Sequence, residues 1–218
     1  MKKILFAILF LSINFLKAQE KKPFSSFDVG FYGGINFYNT NNIRGDFLVE
    51  FKTNLISSLT LKASTGYFRA IQPYSNINTV RKYSKYTIND TSTIFLATKY
   101  NLVSRNYDIF PLTIGIQYNF NQSIFSPYFS IDVAYNIINS TIDTSPPEVW
   151  SYKSIDEIPA EFKGIQKNEI LPDKSFGIIL GAGTEYHISS KLNLDIRYLF
   201  KYDNKIINTH HFIVGIYF

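Results

Sequence analysis

From residue 27 onward, apolar residues recur at every second position in stretches longer than ordinary strands, and this constrains the fold more than any other feature. In residues 191–202, Leu192, Leu194, Ile196, Tyr198 and Phe200 lie on one face and Asn193, Asp195, Arg197 and Lys201 on the other, with Leu199 breaking the pattern. In 127–138, Phe129, Ile131, Val133, Tyr135 and Ile137 alternate with Ser130, Asp132, Ala134 and Asn136. In 108–120, Phe110, Leu112, Ile114, Ile116, Tyr118 and Phe120 alternate with Thr113, Gly115, Gln117 and Asn119. Further segments of this kind are 27–38, 46–53, 57–70, 175–188 and 210–218, giving eight strands. A repeat of two puts alternate side chains on opposite faces of a strand. Ordinary strands run about 5–6 residues, whereas a tilted strand needs roughly 9–11 to cross the hydrocarbon of a bilayer.

Periodicity does not say which face looks inward. A soluble sandwich or lipocalin points its apolar face in; a membrane barrel points it at lipid. Three features favour the membrane. The polar face is small and mild (Gly30, Gly34, Ser64, Gly115, Gly177, Gly181, Gly183), as a narrow lumen needs. Aromatics, with 20 Phe and 16 Tyr against one Trp, gather at strand ends (Phe37, Tyr38, Tyr67, Phe68, Phe110, Tyr118, Phe120, Tyr186, Phe200, Tyr202), where interfacial girdles lie. The connections also alternate between long and short. The expected fold is all-β: an eight-stranded antiparallel transmembrane barrel, an up-and-down meander.

The N-terminus reads as an address. Lys2 and Lys3 precede an apolar run over 4–16, broken only by Ser12 and Asn14, and Lys17-Ala18-Gln19-Glu20 follows. That run is too short for a mature spanning helix, which needs roughly 20 residues, and suits a secretory leader cleaved after Ala18 or Gln19. The chain therefore divides into a leader, 1–19, and a barrel domain, 20–218. Losing Lys2, Lys3 and Lys17 takes the basic residues from 22 to 19, against 17 acids. The basic character is largely that of the leader, and nucleic acid is not an expected partner. The absence of cysteine excludes disulfides, thiolate metal sites, a Cys nucleophile and a lipidated Cys anchor. Three His without HExxH-type spacing give no reason to expect zinc, and no cofactor is expected.

With the N-terminus periplasmic, the short connections 54–56, 121–126 and 189–190 fall on the periplasmic side. The long excursions 71–107 and 140–174, and the shorter 39–45 and 203–209, fall outside, which is the bacterial arrangement. A ten-stranded alternative adds 83–88 and 93–99 around Asn89-Asp90, a turn signal. Arg81 and Lys82 are adjacent, however, so one of them would face lipid, at roughly 2–4 kcal/mol near the midplane. A hairpin outside the membrane, within the first long excursion, is the preferred reading.

In Phe110-Pro-Leu-Thr-Ile-Gly-Ile-Gln-Tyr-Asn-Phe120, Pro127-Tyr-Phe-Ser-Ile-Asp-Val-Ala-Tyr135, Gly177-Ile-Ile-Leu-Gly-Ala-Gly-Thr-Glu-Tyr186 and Leu192-Asn-Leu-Asp-Ile-Arg-Tyr198, the chain resembles the small outer-membrane β-barrel proteins of Bacteroidetes-type bacteria, of the porin-family or PorT-like kind. The likeness covers the barrel and not the two long excursions; its motifs are strand patterns, specific for fold and nearly silent on activity. It implies a bacterial outer-membrane location, outer-membrane lipid as surroundings, and a small-solute porin or a secretion or transport accessory as functional alternatives. Phe218, preceded at every second position by Phe212, Val214 and Ile216, looks like the C-terminal signal read by the barrel-assembly machinery.

Chemistry is sparse. His187 falls at the periplasmic end of its strand, away from an outer substrate. His210 and His211 start the last strand at the outer rim, but adjacent residues point to opposite faces, and no motif joins them to Asp203 or Thr209. Asp195-Ile-Arg197 places opposite charges on one face, which reads as a lumen salt bridge. Gly181-Ala-Gly183 precedes a turn and not a helix, so it is no phosphate loop. No catalytic or metal site is expected, and the chain is not read as an enzyme; an outer-membrane enzyme is the third functional reading, after the surface-interaction barrel and the porin or transport accessory. Asp28, Glu50, Asp132, Glu185 and Asp195 face Lys52, Lys62 and Arg197 in an interior just wide enough for side chains, and buried charges must pair. The expectation is a paired-charge plug, with a narrow ion or proton path as its rival.

The function expected is a structural or surface-interaction barrel whose outer loops take a surface polymer or protein. Over 71–106, Arg81, Lys82, Lys85, Lys99 and Arg105 stand against Asp90, a net of +4. Over 140–173, seven acids (Asp143, Glu148, Asp156, Glu157, Glu161, Glu169, Asp173) stand against Lys153, Lys163 and Lys167, a net of −4. This complementarity suggests docking, with Arg81, Lys82 and Lys85 meeting Asp156, Glu157 and Glu161; two independently solvated loops are the alternative. Residues 160–168 favour one short helix, and Trp150 is placed away from the girdles.

Overall fold

The structure is a computed structural model that describes residues 23–38, 42–87, 93–121, 123–164, 169–189 and 191–218. The leader and the Asn89-Asp90 turn lie outside the described residues. Nine strands are described: β1 (Phe27–Phe37), β2 (Ile43–Ile56), β3 (Leu59–Thr87), β4 (Thr93–Asn119), β5 (Phe125–Thr144), β6 (Glu148–Tyr152), β7 (Lys174–His187), β8 (Asn193–Asp203) and β9 (Thr209–Tyr217). They fall into two compact units. The first holds residues up to 70, 108–138 and 173–218; the second holds 71–107 and 139–172.

The first unit is the barrel. Each strand pairs antiparallel with its neighbours in the order β3-β2-β1-β9-β8-β7-β5-β4, and β3–β4 pairing closes the ring at eight strands. The terminal strands meet: Phe31 is in register with Ile216 and Phe37 with His210. Closure leaves no sheet edge, which a bilayer requires because hydrocarbon offers backbone groups no partner. The faces are inverted relative to a soluble protein. Along β4, Phe110, Leu112, Ile114 and Ile116 are 42–56% exposed, while Gln117 on the other face is 1% exposed. The polar interior and apolar exterior are the arrangement of a barrel solvated by lipid.

The interior is so tight that glycine is obligatory at certain points. Tyr32 lies across Gly30 and Gly215, where an added Cβ would come within 2.6 Å and 2.1 Å of its ring. Gly115 lies against Asp132, whose Oδ1 would be 2.0 Å from such a Cβ.

The second unit departs from the expected loops. The strands expected at 83–88 and 93–99 are present over the described residues, but they are not a separate hairpin on a loop. They are the ends of β3 and β4, which pair and run unbroken through 71–107, past Pro73, for 29 and 27 residues in all. The apolar alternation that marked strands stops near Ala70. Backbone pairing does not need it, and only lipid contact does. The five-residue β6 adds to β4 antiparallel, with Phe95 opposite Tyr152 and Lys99 opposite Glu148. In place of a helix over 160–168 there is one 3₁₀ turn, Ala160–Phe162; residues 165–168 lie outside the described set. Phe162 anchors that turn in a small core with Ala97 and Ile158, flanked by Phe95 and Tyr152, and that burial outweighs helix propensity. Trp150, on β6, meets Phe162 edge-on with ring centroids 5.6 Å apart.

Candidate functional site

Inside the barrel, β2, β3, β5, β7 and β8 each send charged side chains to one level. Arg197 on β8 donates to both oxygens of Glu50 on β2, each at 2.9 Å, and to Asp195 Oδ2 at 2.7 Å. Lys52 reaches Glu185 at 2.8 Å, Asp195 at 3.2 Å and Glu50 at 3.5 Å. Lys62 reaches Asp132 at 3.1 Å and Glu50 at 3.8 Å. All seven side chains are nearly inaccessible, so each charge relies on its partners for the solvation it has lost. Of the eight residues picked from sequence, seven thus form one network. Asp28 is half-buried, opposite Lys52 in the β1–β2 register, and lines the mouth at the short-turn end.

Neutral residues that the charge pattern did not reveal complete this network. The Tyr32 ring lies 4.0 Å beneath the Arg197 guanidinium, and its hydroxyl donates to Glu50 at 3.2 Å. Tyr128 donates to Asp195 at 2.8 Å, and Gln117 donates to Glu185 at 2.8 Å. The period-two pattern places Gln117 inward, and the same parity puts Tyr32 with Gly30 and Gly34 and Tyr128 with Ser130 and Asp132; their aromatic character, shared with the interfacial tyrosines, hid that signal.

Next along the strands comes an apolar layer. Leu199, the residue that breaks the β8 alternation, packs inside with Tyr32, Ala134, Ile179 and Ile213. Beyond it Lys201 donates to Asn136 at 2.8 Å, and Asp203 accepts from Asn136 and Ser175 at 2.7 Å each. His211 Nδ1 lies 2.6 Å from Asp46 Oδ2. His211 is therefore the inward histidine of the adjacent pair, and His210 faces away, 2.5 Å from the Tyr198 hydroxyl. A cavity of about 50 Å³ lies among Glu50, Asp132, Arg197, Leu199 and Lys201, space for only a few waters. At the short-turn end a cavity of about 450 Å³ is lined by Asp28, Asn54, Asn119, Ser126, His187 and Tyr217, among others.

In the second unit, Arg81 meets Glu161 at 3.2 Å, Lys99 meets Glu148 at 3.4 Å, and Arg105 pairs with Glu169, which also accepts from Tyr74. The two excursions thus touch through ion pairs, but also through the β4–β6 ladder and the Phe162 core. The other residues picked for docking act differently. Lys82 lies over the Tyr100 ring at 5.4 Å, Glu157 accepts from the Lys153 backbone at 3.1 Å, and the Asp156 backbone donates to Ser154 at 3.3 Å. Lys85 is exposed and makes no ion pair among the described residues. Burial opposes ionisation of Glu169, but hydrogen bonds from Tyr74 and Arg105 outweigh it and hold the carboxyl below its ordinary value. The Tyr74 hydroxyl is pushed up to about 12 by burial and by Glu169.

On β9, Phe212, Val214 and Ile216 are 44–52% exposed on the outer face, in line with the exposed Phe218. Phe218 is held to β1 by a pair of backbone hydrogen bonds with Val29, at 2.9 and 3.1 Å.

A closed antiparallel ring, apolar outside and ion-paired within, defines a bilayer-spanning β-barrel. The chain belongs to the outer membrane protein beta-barrel domain family, whose model matches residues 6–217, and its place is the outer membrane. No curated protein matches it. Among solved structures it is similar to the N-terminal β-barrel domain of OprF from Pseudomonas aeruginosa (12% identity, 90% of this chain and 98% of that one, TM-score 0.47). It is similar also to Neisserial surface protein A (10%, 88% and 94%, 0.47). A third is Ail of Yersinia pestis, solved with the heparin analogue sucrose octasulfate (11%, 91% and 100%, 0.45). At these identities the likeness concerns fold alone.

Proposed function

We propose that this protein is a closed outer-membrane barrel that works through its outer segments, with a lumen plugged by paired charges. The observation that carries the reading is the Arg197–Glu50–Asp195–Lys52–Glu185 network, whose side chains are at most 5% exposed, followed along the strands by the Leu199 layer. A hydrated ion passing this level would have to separate buried charges and wet an apolar constriction, either of which is a barrier. With the lumen occupied, the surface left for recognition is that of residues 71–107 and 139–172. There Lys82, Lys85, Tyr83, Tyr86 and Trp150 are exposed, a composition suited to a surface polymer or protein.

In this reading the chain is exported by a leader cleaved after Ala18 or Gln19, and the barrel-assembly machinery recognises Phe212, Val214, Ile216 and Phe218. The porin or PorT-like transport role is the competing account. Planar-bilayer recording of the purified barrel separates the two: a closed plug gives a quiet baseline, and steady, large single-channel conductance overturns it. Deleting the tip of β3–β4 should abolish capture of a surface partner by intact cells while the barrel still folds.

A further inference from the structure

The short-turn mouth holds an arrangement that the plug does not use. Ser126 at the start of β5, His187 at the end of β7 and Asn193 at the start of β8 lie on three neighbouring strands, with His187 and Asn193 in direct register. His187 Nδ1 is 2.5 Å from Asn193 Oδ1, and His187 Nε2 is 3.3 Å from Ser126 Oγ, whose hydroxyl donates to the Ser123 carbonyl at 3.0 Å and must swing from it to His187 for the base to act. An amide oxygen only accepts, so Nδ1 carries the proton and Nε2 presents its lone pair to the serine. A hydroxyl, a base and an amide that fixes the tautomer of the base form the constellation of acyl-transfer sites, and the serine–histidine distance commonly shortens only with substrate bound.

All three residues line the 450 Å³ cavity. This separates them from a second chain of similar shape, Thr209 Oγ1 at 2.8 Å from His211 Nε2 with Nδ1 on Asp46, because Thr209 lines neither that cavity nor the 50 Å³ one. The rest of the mouth is mostly hydroxyl and amide (Ser26, Ser57, Ser189, Asn54 and Asn119), with the Asp28 carboxylate and Tyr217 beside them. Such polar walls suit a polyhydroxy alcohol with a small acyl group better than a fatty chain. Asn54 and Asn119 add amide groups to the same walls, their Nδ2 atoms donating to Ser26 Oγ at 2.8 Å and to Glu185 Oε2 at 3.3 Å.

We propose that Ser126 and His187, positioned by Asn193, cleave small acyl esters of a sugar or other polyol entering from the short-turn side. Ser126 Oγ bonds to the acyl carbon as its proton passes to His187 Nε2. The carbon–oxygen bond to the alcohol breaks, and the leaving oxygen takes that proton. Water then attacks the acyl-serine through the same base, releasing the carboxylic acid and restoring Ser126, so that ester and water become alcohol and acid.

The test uses the full mature chain in detergent, with p-nitrophenyl acetate and an acetylated sugar as probes and p-nitrophenyl palmitate as the long-chain control. Acetate esters should turn over and the palmitate should not. Ser126→Ala and His187→Ala should lower the rate about 100-fold or more, and mass spectrometry should find the trapped acetyl group on Ser126. Asn193→Ala should lose roughly tenfold or more, and Asn193→Asp should recover most of it, which a merely structural role would not produce. Unchanged heat-modifiable migration on gels shows that each variant still forms the barrel. A folded Ser126→Ala protein as active as the parent, or an acetyl group only elsewhere, overturns the proposal; either result leaves the plugged-lumen reading untouched.

Discussion

Arg197 donates two parallel hydrogen bonds of 2.9 Å to Glu50, a residue 147 positions away in the chain. The same guanidinium holds Asp195, its neighbour but one on β8, and stacks on Tyr32. One side chain therefore ties β8, β2 and β1 across the barrel interior. The geometry is bidentate, the strongest form of this pair.

Removing the cation should be far more damaging than removing the pair. Arg197→Met leaves Glu50 and Asp195 buried without their main partner and should cost about 3–5 kcal/mol. Adding Glu50→Leu should return a large part of that loss. Urea unfolding of the barrel in lipid vesicles measures both, and equal destabilisation by the single and the double variant would contradict the pairing.

The outer face meets lipid, so charge there should be penalised according to depth. Ile114 is 56% exposed in the middle of the barrel portion of β4. Ile114→Arg should destabilise the folded barrel in bilayers by roughly 2–4 kcal/mol, while Phe120→Arg, at the strand end, should cost about 0–1 kcal/mol. A cost independent of depth would place this face away from hydrocarbon.

In the second unit, packing should outweigh charge. Phe162 is 4% exposed, and Phe162→Ala should cost about 3–5 kcal/mol of local stability. Arg81→Glu removes one exposed ion pair worth at most about 1 kcal/mol. Limited proteolysis should therefore find residues 71–107 and 139–172 both cut faster in Phe162→Ala, and only slightly faster in Arg81→Glu. The reverse order would mean that charge, and not the β4–β6 sheet, joins them.

Glu169 sets a pH dependence of defined sign. Its carboxyl titrates below its ordinary value in the folded unit, so its contribution is present above the unfolded-state value and disappears as pH falls through the folded one. Protease resistance of the second unit should thus decline on acidification below the ordinary carboxylate range and be flat in Glu169→Gln. The pair is partly exposed, so the effect stays under about 1 kcal/mol and weakens with salt.

The eight barrel strands were legible because lipid enforces the alternation: an outward polar residue such as one replacing Ile196 or Val214 would be costly, so the pattern holds strand after strand. The same reasoning explains where legibility ended. Beyond Ala70 the alternation stops although β3 continues through Gln72, Pro73 and Asn76 to Thr87, and the sequence looks like loop. Leu199 looked like an error in the pattern because a lumen was expected to be polar throughout, yet it belongs to the apolar layer with Ile179 and Ile213.

What the sequence determined by itself is which residues face inward, since parity along a strand is fixed by the two-residue repeat. Parity put Glu50, Lys52, Lys62, Asp132, Glu185, Asp195 and Arg197 in the lumen without any knowledge of their partners. Which carboxylate meets which cation depends on the stagger between strands and on ring closure, quantities spread over the whole chain. Only the tertiary structure brings Arg197 to Glu50, sets Tyr32 over two glycines, and leaves Asp28 at the mouth beside Ser126 and His187. A local pattern encodes direction, whereas distance across a closed barrel is a property of all eight strands together.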